Sequence, residues 1–353
     1  MNFVSDNTGP AAPEIMAAMI AANDGYTMPY GNDPVMDRTT QKLRTLFEAP
    51  DASVHLVPTG TAANALALSV MAKPWQTIFC HRESHVAIDE CGAPEFYSGG
   101  AKLSLIDGED GRIPPEALTE AITGTAQGDV HSVQRGPVTL TNVTEAGTLY
   151  AIDQIKALTE IAKAHDLPVH LDGARFSNAC AALGCTPAEM TWKAGVDAVS
   201  FGGTKNGCLG VEAVIFFDPA QAWECEIRRK RGGHLFSKHR YLSAQMEAYV
   251  TDGLWLRLAG AANAACADLA RGLRALPEAR LVHEPEGNMI FVALPRALHR
   301  QAKAAGALYT LIGADKALDG PDETPLLCRL VCDWSCTSER VEQLLDLFRQ
   351  GAQ

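Results

Sequence analysis

Between about residues 50 and 220, the sequence alternates short runs of β-branched and other apolar residues with segments of helical spacing. This alternation limits the fold more than any other feature, because strands separated by helices form a largely parallel sheet covered on both faces. The strand-like runs lie in SVHLV (53–57), VTLTN (138–142), LPVHLDGARF (167–176), VDAVSFGGTK (196–205) and VEAVIFF (211–217). We therefore expect one large α/β domain.

After about residue 250 the pattern changes. An Ala-rich helical segment is followed by two strand-like runs, 287–294 and 325–334, with a helix between them and an amphipathic helix at the end. This order predicts a smaller α+β domain. We expect the large domain, with an N-terminal arm, over residues 1–250 and the small domain over residues 251–353.

The composition excludes several classes of function. The formal net charge of -12 argues against a nucleic-acid partner, because phosphate binding normally uses a basic face. No apolar run reaches the roughly 20 residues that cross a bilayer, and the N-terminus lacks the basic and apolar regions of a secretory signal. The ten cysteines show neither a CxxC pair nor a Cys/His ligand spacing. We expect reduced thiols in a cytoplasmic protein and no metal site.

Ligands of parallel α/β sheets gather beyond the carboxyl ends of the strands, so polar residues directly after strands are candidates for a site. Four places qualify: Thr59-Gly60-Thr61, Asp172 with Arg175, Lys205, and the loop after Asn142. The first lies at a strand-to-helix turn, where free N–H groups can receive a phosphate, although a plain helix cap explains the same residues. Neither a Walker loop nor GxGxxG is present, which weakens the case for ATP or NAD.

Asp172 and Lys205 narrow the choice of ligand. A carboxylate at the end of an apolar strand is costly unless it is paired. The partner is either structural, Arg175 or a helix N-terminus, or a cationic heterocycle nitrogen of a ligand. A partly desolvated lysine among glycines forms a Schiff base with an aldehyde. A phosphate at Gly60 and Thr61, a pyridinium nitrogen at Asp172 and an aldehyde at Lys205 together describe pyridoxal 5'-phosphate (PLP).

The chain resembles the L-threonine aldolases, which belong to the aspartate-aminotransferase-like group (fold type I) of PLP enzymes. Six segments carry the resemblance, and a weaker match extends to CRLVCDW: FVSDNTGPAAPEIMAAM, YGNDPVMDRTTQKLRTLFE, HLVPTGTAANALAL, ESHVAIDECGAPEFYSGGAKL, LPVHLDGARFSNACAALG and VSFGGTKNGCLG. The resemblance implies a mostly parallel large domain and a smaller C-terminal domain. It also implies cleavage of L-threonine, L-allo-threonine and related β-hydroxy amino acids, including phenylserine, into glycine and an aldehyde.

The resemblance also assigns roles to residues. Lys205 would hold the cofactor aldehyde, Asp172 the pyridine nitrogen, and Gly60 with Thr61 the phosphate. His85 would stack on the cofactor ring near the substrate hydroxyl, unless it is a hydrogen-bonded core histidine. His131 matches a second active-site histidine, and three residues match groups that hold the substrate carboxylate: Ser5, Arg175 and Arg329. A buried ion pair is the alternative for Arg329.

Further matches imply an oligomer with shared sites. The basic run IRRKRGGHLFSKHR corresponds to a segment in which a neighbouring subunit donates a phosphate-binding cation, with Lys238 the better candidate and Arg240 the second. For Arg228 to Arg231, a solvated helix face explains the charges equally well. Tyr30 would likewise reach into a partner's site. The resemblance therefore implies a homodimer, assembled into a homotetramer.

Some residues depart from the family pattern. Where relatives often read ENTH, this chain reads NVTE, which puts Glu145 near a histidine position, and Thr204 replaces the usual serine before Lys205. These departures leave open which substrate side chains are accepted and which configuration is preferred.

Other PLP reactions on the same scaffold, such as β-elimination, racemisation and transamination, use the same cofactor residues. A nucleotide-binding oxidoreductase and a non-enzymatic PLP-binding protein are alternatives from other classes.

Overall fold

The computed structural model describes residues 1–351. Its strands are β1 (Ser53–Val57), β2 (Gln76–His81), β3 (Lys102–Ile106), β4 (Gln134–Thr141), β5 (Val169–Gly173), β6 (Ala198–Gly202), β7 (Glu212–Phe216), β8 (Arg280–Leu281), β9 (Met289–Pro295), β10 (Thr310–Ile312) and β11 (Pro325–Val331). The helices are α1 (Pro13–Ala21), α2 (Pro34–Leu46), α3 (Gly60–Met71), α4 (His85–Ile88), α5 (Ala93–Ser98), α6 (Pro115–Gly124), α7 (Ile152–Lys163), α8 (Phe176–Leu183), α9 (Pro187–Met190), α10 (Ala222–Arg231), α11 (Arg240–Val250), α12 (Leu254–Arg274), α13 (Arg296–Ala304) and α14 (Ser338–Gly351).

The first seven strands form one sheet in the order β1-β7-β6-β5-β4-β2-β3. Neighbouring strands are parallel except at β7, which runs antiparallel to both β1 and β6. Strands β1, β4, β5, β6 and β7 are almost entirely buried, as expected for a sheet with helices on both faces. The predicted mostly parallel α/β domain is confirmed, and the sequence analysis missed β2 and β3.

The direction of β7 follows from the length of its connection. Only the turn 203–211 separates β6 from β7, whereas a parallel partner needs a crossover of a dozen or more residues. This turn carries Lys205. The same short connection therefore reverses the chain and places the lysine at the edge of the sheet formed by the carboxyl ends of the parallel strands.

A second, antiparallel sheet has the order β10-β11-β9-β8 and packs with α12, α13 and α14. Its core contains Leu269, Val292, Leu330 and Phe348. Phe3 also packs in this core, and its backbone pairs with Leu308 and Val331. The first residues therefore pack with the small domain rather than with the large domain predicted for 1–250, and the boundary at 250/251 stays a prediction.

Helix α12 joins the two cores. Its first turns place Trp255 and Leu258 in the core of the large sheet, whereas Leu269 and Leu273 lie in the core of the small one. Within residues 1–351, no helix combines the length and the apolar character that a membrane span requires.

Candidate active site

A cleft of about 390 Å³ opens where the carboxyl ends of β1, β5 and β6 meet, which is within the size range of small-ligand sites. Its lining comes from the N-terminal arm, the strand ends and the turns that follow them: Asn7, Pro58, Thr59, Gly60, Thr61, Asn64, His85, Asp89, Asp172, Ala174, Thr204, Lys205 and Glu212. A larger groove against α2 and α11 is lined by alanines and by exposed pairs such as Arg38–Glu247, and contains none of the predicted site residues.

One end of the cleft is the start of α3. Thr59 caps this helix, since its hydroxyl accepts a hydrogen bond of 3.2 Å from the Ala62 N–H. The N–H groups of Gly60 and Thr61 are left at the open helix end, where the helix dipole favours an anion. A methyl group built at Gly60 would meet no atom within 4 Å, so the cleft is open beside this residue. The helix cap is present, and the phosphate site at Gly60 and Thr61 stays a prediction that this open helix end fits.

Asp172 ends β5 and is only 1% exposed. Its two carboxylate oxygens accept hydrogen bonds of 3.0 Å from the Ala174 N–H and 2.9 Å from the Asn64 side-chain amide. No cationic side chain of residues 1–351 forms an ion pair with it. Arg175 pairs with Asp6, so it is not the structural partner of Asp172, whereas the bond from Ala174 comes from the turn just before α8. A carboxylate buried with only neutral donors suits a protonated heterocycle nitrogen.

Lys205 lies in the turn after β6 and faces the same cleft as Asp172. Among the described residues its amine has neither a hydrogen-bond nor an ion-pair partner. The two glycines before it leave room for neighbouring backbone atoms. A Cβ at Gly202 would lie 2.5 Å from the Ala174 backbone oxygen, and one at Gly203 would lie 2.7 Å from the Val211 backbone oxygen. They allow close strand packing, rather than the approach of a ligand that the sequence suggested.

His85 begins α4 and is tied to Asp172 through two residues that the sequence analysis missed. Its Nδ1 lies 2.8 Å from Glu90 Oε1, which also accepts a bond of 2.8 Å from the Asn64 amide, and Asn64 in turn reaches Asp172. Because an ionised carboxylate only accepts hydrogen bonds, the proton of the neutral ring lies on Nδ1, and Nε2 then keeps its lone pair. His85 lines the cleft, so the alternative of a hydrogen-bonded core histidine explains its bond to Glu90 but not its position. Its stacking on a cofactor ring stays a prediction.

Charges around this network shift its protonation. The hydrogen bond to Glu90 raises the pKa of His85, burial opposes the rise, and the nearby charges of Asp172 and Glu145 add to it. Burial raises the pKa of Glu90, whose side chain is fully shielded from solvent, although the bond from His85 opposes this. The pKa values of both members of the pair are therefore raised.

Arg175 is already bound to a carboxylate. Its Nε and Nη2 donate to the two oxygens of Asp6 at 2.7 and 3.1 Å, and Asn288 donates to the same carboxylate at 3.1 Å. Although burial acts in the other direction, the positive charge of Arg175 lowers the pKa of Asp6. The predicted two-bond clamp on a substrate carboxylate is thus taken up by Asp6, and only the remaining N–H groups of Arg175 are left for a ligand.

Arg329 lies on β11, opposite Phe291, on the strand face that includes Val331 and meets the large core. Its Nε is buried and has no hydrogen-bond partner among the described residues, and no ion pair involves this guanidinium there. The buried ion pair considered for Arg329 is therefore absent from that part of the chain. A buried N–H group without an acceptor is costly, so this position suits an anion. Ser5 lies on the N-terminal arm, where its hydroxyl accepts a bond from the Asn7 N–H.

Besides Ser5, Arg175 and Arg329, four more predicted residues do not line this cleft. His131 is exposed and precedes β4, at the edge of the sheet opposite to Asp172, so it is not part of the site within one chain. Tyr30 stacks under the Lys230 amine, and Arg240 donates to the Gly25 oxygen at 2.9 Å. Lys238 is exposed. Any role of these residues in the site requires a second subunit.

The loop after Asn142 contributes Glu145. The Asn142 side chain is used within the loop, where it bonds to the backbone of Tyr150 in both directions. Glu145 is half-buried, and its charge acts on both His85 and Arg175. The residue that departs from the family pattern thus lies next to the predicted site.

The free groups fit PLP. The open N–H groups at Gly60 and Thr61 suit its phosphate, the carboxylate of Asp172 its pyridine nitrogen, and the unpaired amine of Lys205 its aldehyde. All of them line one cleft.

Comparisons with known proteins agree with this geometry. The sequence pattern of the family described as "Beta-eliminating lyase" matches residues 2–296. The low specificity L-threonine aldolase of Pseudomonas sp. is 41% identical over 97% of this chain and 95% of that protein, and the Pseudomonas aeruginosa protein of the same name is 40% identical over the same shares.

The structural comparisons show the same fold. A Leishmania major threonine aldolase superimposes with a TM-score of 0.92 at 25% identity, covering 100% of this chain and 99% of that one. A Sphingomonas wittichii serine palmitoyltransferase shares the fold alone, with a TM-score of 0.70 at 17% identity over 99% of this chain and 86% of that one. The predicted aspartate-aminotransferase-like fold is confirmed.

Proposed function

Because the chain belongs to the beta-eliminating lyase family, beside the low-specificity L-threonine aldolases, we propose that it uses PLP to cleave L-threonine and L-allo-threonine into glycine and acetaldehyde. Related L-β-hydroxy-α-amino acids such as phenylserine would give glycine and the corresponding aldehyde. One observation carries the proposal: the unpaired Asp172 and Lys205 line a single cleft that begins at the open N-terminus of α3.

The residues of the chain would hold the cofactor at three points. Lys205 would bind its aldehyde carbon, Gly60 and Thr61 its phosphate, and Asp172 would keep its pyridine nitrogen protonated. When bound, PLP withdraws electrons from the substrate Cα and so stabilises the charge that bond cleavage leaves there.

The reaction outcome depends on which substrate bond is aligned for cleavage, and orientation is set by how the carboxylate is held. Arg329, with its unpartnered Nε, would make the main contact, and Ser5 and the remaining N–H groups of Arg175 would assist. The Nε2 atom of His85 would accept the hydroxyl proton as the Cα–Cβ bond breaks, because Glu90 holds the proton on Nδ1. The electron pair of that bond stays at Cα, which then takes up a proton to give glycine.

The test is the release of glycine and acetaldehyde when L-threonine is added to purified, PLP-loaded protein, with Lys205→Ala as the control. We expect equal amounts of both products from the wild type and none from the variant. Ammonia and a keto acid in their place would identify a β-eliminating reaction on the same scaffold, and the aldolase proposal would be wrong.

The same assay tests stereochemical scope. A histidine acceptor reaches a hydroxyl of either configuration, so we expect kcat/KM for L-threonine and L-allo-threonine to agree within about 100-fold, which corresponds to about 3 kcal/mol. A larger preference would show that further contacts select the configuration at Cβ.

The assembly and location belong to the same proposal. A homodimer with shared sites, further paired into a tetramer, would give Tyr30, Lys238, Arg240 and His131 access to a partner's cleft. A cytoplasmic location is supported by the cysteines, which all lie in the described part of the chain and are all free thiols.

A further inference from the structure

A second buried carboxyl group lines the cleft and has no role in the chemistry above. Glu212 is the first residue of β7, where it lies opposite Gly202 of β6 and Val57 of β1. It is 5% exposed and shares the cleft with Lys205 and Asp172. A carboxyl group in such a position is expensive to bury, which makes its partners informative.

Its partners are the two residues directly before Lys205. The carboxylate oxygen Oε2 accepts a hydrogen bond of 2.8 Å from the Gly203 N–H. The Thr204 hydroxyl lies beside the same group and favours its charged form, while the Thr204 oxygen accepts a bond of 3.1 Å from the Val211 N–H. Glu212 therefore binds the turn that presents the lysine to the cleft.

The groups around Glu212 determine the pH range in which its carboxyl group is charged. Burial raises the pKa of Glu212 to about 7, and the bonds from Thr204 and Gly203 and the charge of Lys205 oppose the rise. Asp172 repels its anion from β5, and the other ionisable groups facing it are Cys208 and Tyr249, whose own pKa values are raised by burial. Glu212 thus changes its protonation near neutral pH, beside an amine.

We propose that Glu212 is a positioning residue that holds the Lys205 turn and balances the charge of the Lys205 amine. As an anion it stabilises the free ammonium form of Lys205. If Lys205 gave up a proton on holding the cofactor aldehyde, the Glu212 carboxylate would accept that proton, so the pair would keep the same net charge. This inference rests on the proposed use of PLP.

The test compares Glu212→Gln, which keeps an acceptor oxygen but cannot titrate, with Glu212→Ala, which removes both properties. Asp197→Asn is the matched control, because Asp197 also accepts a backbone N–H bond, from Val169 at 2.6 Å, but at the opposite edge of the sheet. Circular dichroism and thermal unfolding establish that each variant is folded.

The first readout is hydrogen exchange of the peptide 201–211 in cofactor-free protein. We expect faster exchange in Glu212→Ala and wild-type rates in Glu212→Gln and Asp197→Asn. The second is PLP binding followed by absorbance, where Glu212→Ala should bind about tenfold more weakly. The third is the pH dependence of the bound cofactor's absorbance, which Glu212→Gln should shift and Asp197→Asn should not.

The positioning role is wrong if Glu212→Ala exchanges and binds PLP like the wild type. The charge-balancing role is wrong if Glu212→Gln leaves the pH dependence unchanged. Neither result depends on threonine turnover. A protein that shows the expected differences but releases no glycine would refute the aldolase proposal alone, whereas normal turnover with unchanged variants would refute the role of Glu212 alone.

Discussion

At the scale of single residues, the site is marked by charged groups whose partners the chain does not supply. Some buried charges elsewhere are paired directly, as Arg175 is with Asp6 and Arg229 is with Glu226, whereas Asp33 and Asp333 accept bonds only from neutral donors. Asp172 also has only neutral donors, and within residues 1–351 Arg329 Nε has no acceptor. What distinguishes Asp172 is that it lines the same cleft as the Lys205 amine. An uncompensated buried charge costs stability, so its position in a cleft favours a ligand that completes the pairing.

The His85–Glu90 pair gives a prediction at this scale. In Glu90→Gln the acceptor becomes neutral, so the pKa of His85 should fall, because its largest raising contribution is the bond to Glu90. Nuclear magnetic resonance of the histidine ring in cofactor-free protein measures this directly. The acid side of the kcat/KM profile should move to lower pH, since the neutral base then persists further into acid, and kcat/KM should fall about tenfold as His85 loses its orientation.

An exposed carboxylate provides the control for that experiment. Glu189→Gln alters a helix-capping pair far from the cleft and should leave the His85 titration unchanged. An unaltered His85 pKa in Glu90→Gln would mean that Glu90 does not govern the protonation of the ring.

At the scale of elements, the sequence predicted the parts of the site that follow directly from strand ends. Gly60, Thr61, Asp172 and Lys205 were found because each comes directly after a recognisable strand or opens the next helix. His131 precedes its strand, at the opposite edge of the sheet, so strand-end reasoning does not place it in the cleft of its own chain and its role stays a prediction.

Other parts of the site depend on long-range contacts that spacing does not encode. Asn64 reaches Asp172 across 108 positions, and Arg175 reaches Asp6 across 169. Helical spacing places Asn64 one turn after Gly60, which was an available signal for it. Glu90 lies two residues beyond the end of the four-residue helix α4, which His85 begins, so no periodic pattern connects the two.

The approach of β5 and β6 gives a prediction for these elements. In Gly202→Ala the new methyl group would lie 2.5 Å from the Ala174 backbone oxygen, so the strand ends must separate. We expect the free energy of unfolding to fall by about 1–3 kcal/mol, as measured by urea denaturation. PLP binding should weaken as well, because the Lys205 turn begins at this residue.

Gly210→Ala is the matched control in the same connection. A methyl group there has its nearest neighbour, the Pro58 oxygen, at 3.5 Å, which is an ordinary contact. Its effect should stay within about 0.5 kcal/mol. Equal losses in both variants would mean that glycine is needed in the turn for flexibility rather than for close packing.

At the scale of the whole molecule, the N-terminal arm connects the two cores at the site. Phe3 packs in the small core, while three residues later Asp6 binds Arg175 of the large domain and Asn288 beside the small sheet. Arg329 comes from the small domain and Lys205 from the large one. With the proposed roles of Arg329 and Lys205, substrate orientation and cofactor binding would depend on different cores, and the N-terminal arm contacts both.

The expected sharing of sites between subunits is tested by hybrid assemblies. If Lys238 of one chain serves the cleft of the other, co-expressed Lys205→Ala and Lys238→Ala chains form hybrids in which one site has both lysines and the other has neither. Random pairing of equal amounts then restores about a quarter of wild-type activity per chain.

Lys238 is the candidate for this test because it is exposed, whereas Arg240 already donates to the Gly25 oxygen of its own chain. Pairing Lys205→Ala with His85→Ala should restore nothing, since both residues line the cleft of one chain. Activity in the first hybrid no higher than in the second would place Lys238 outside the site.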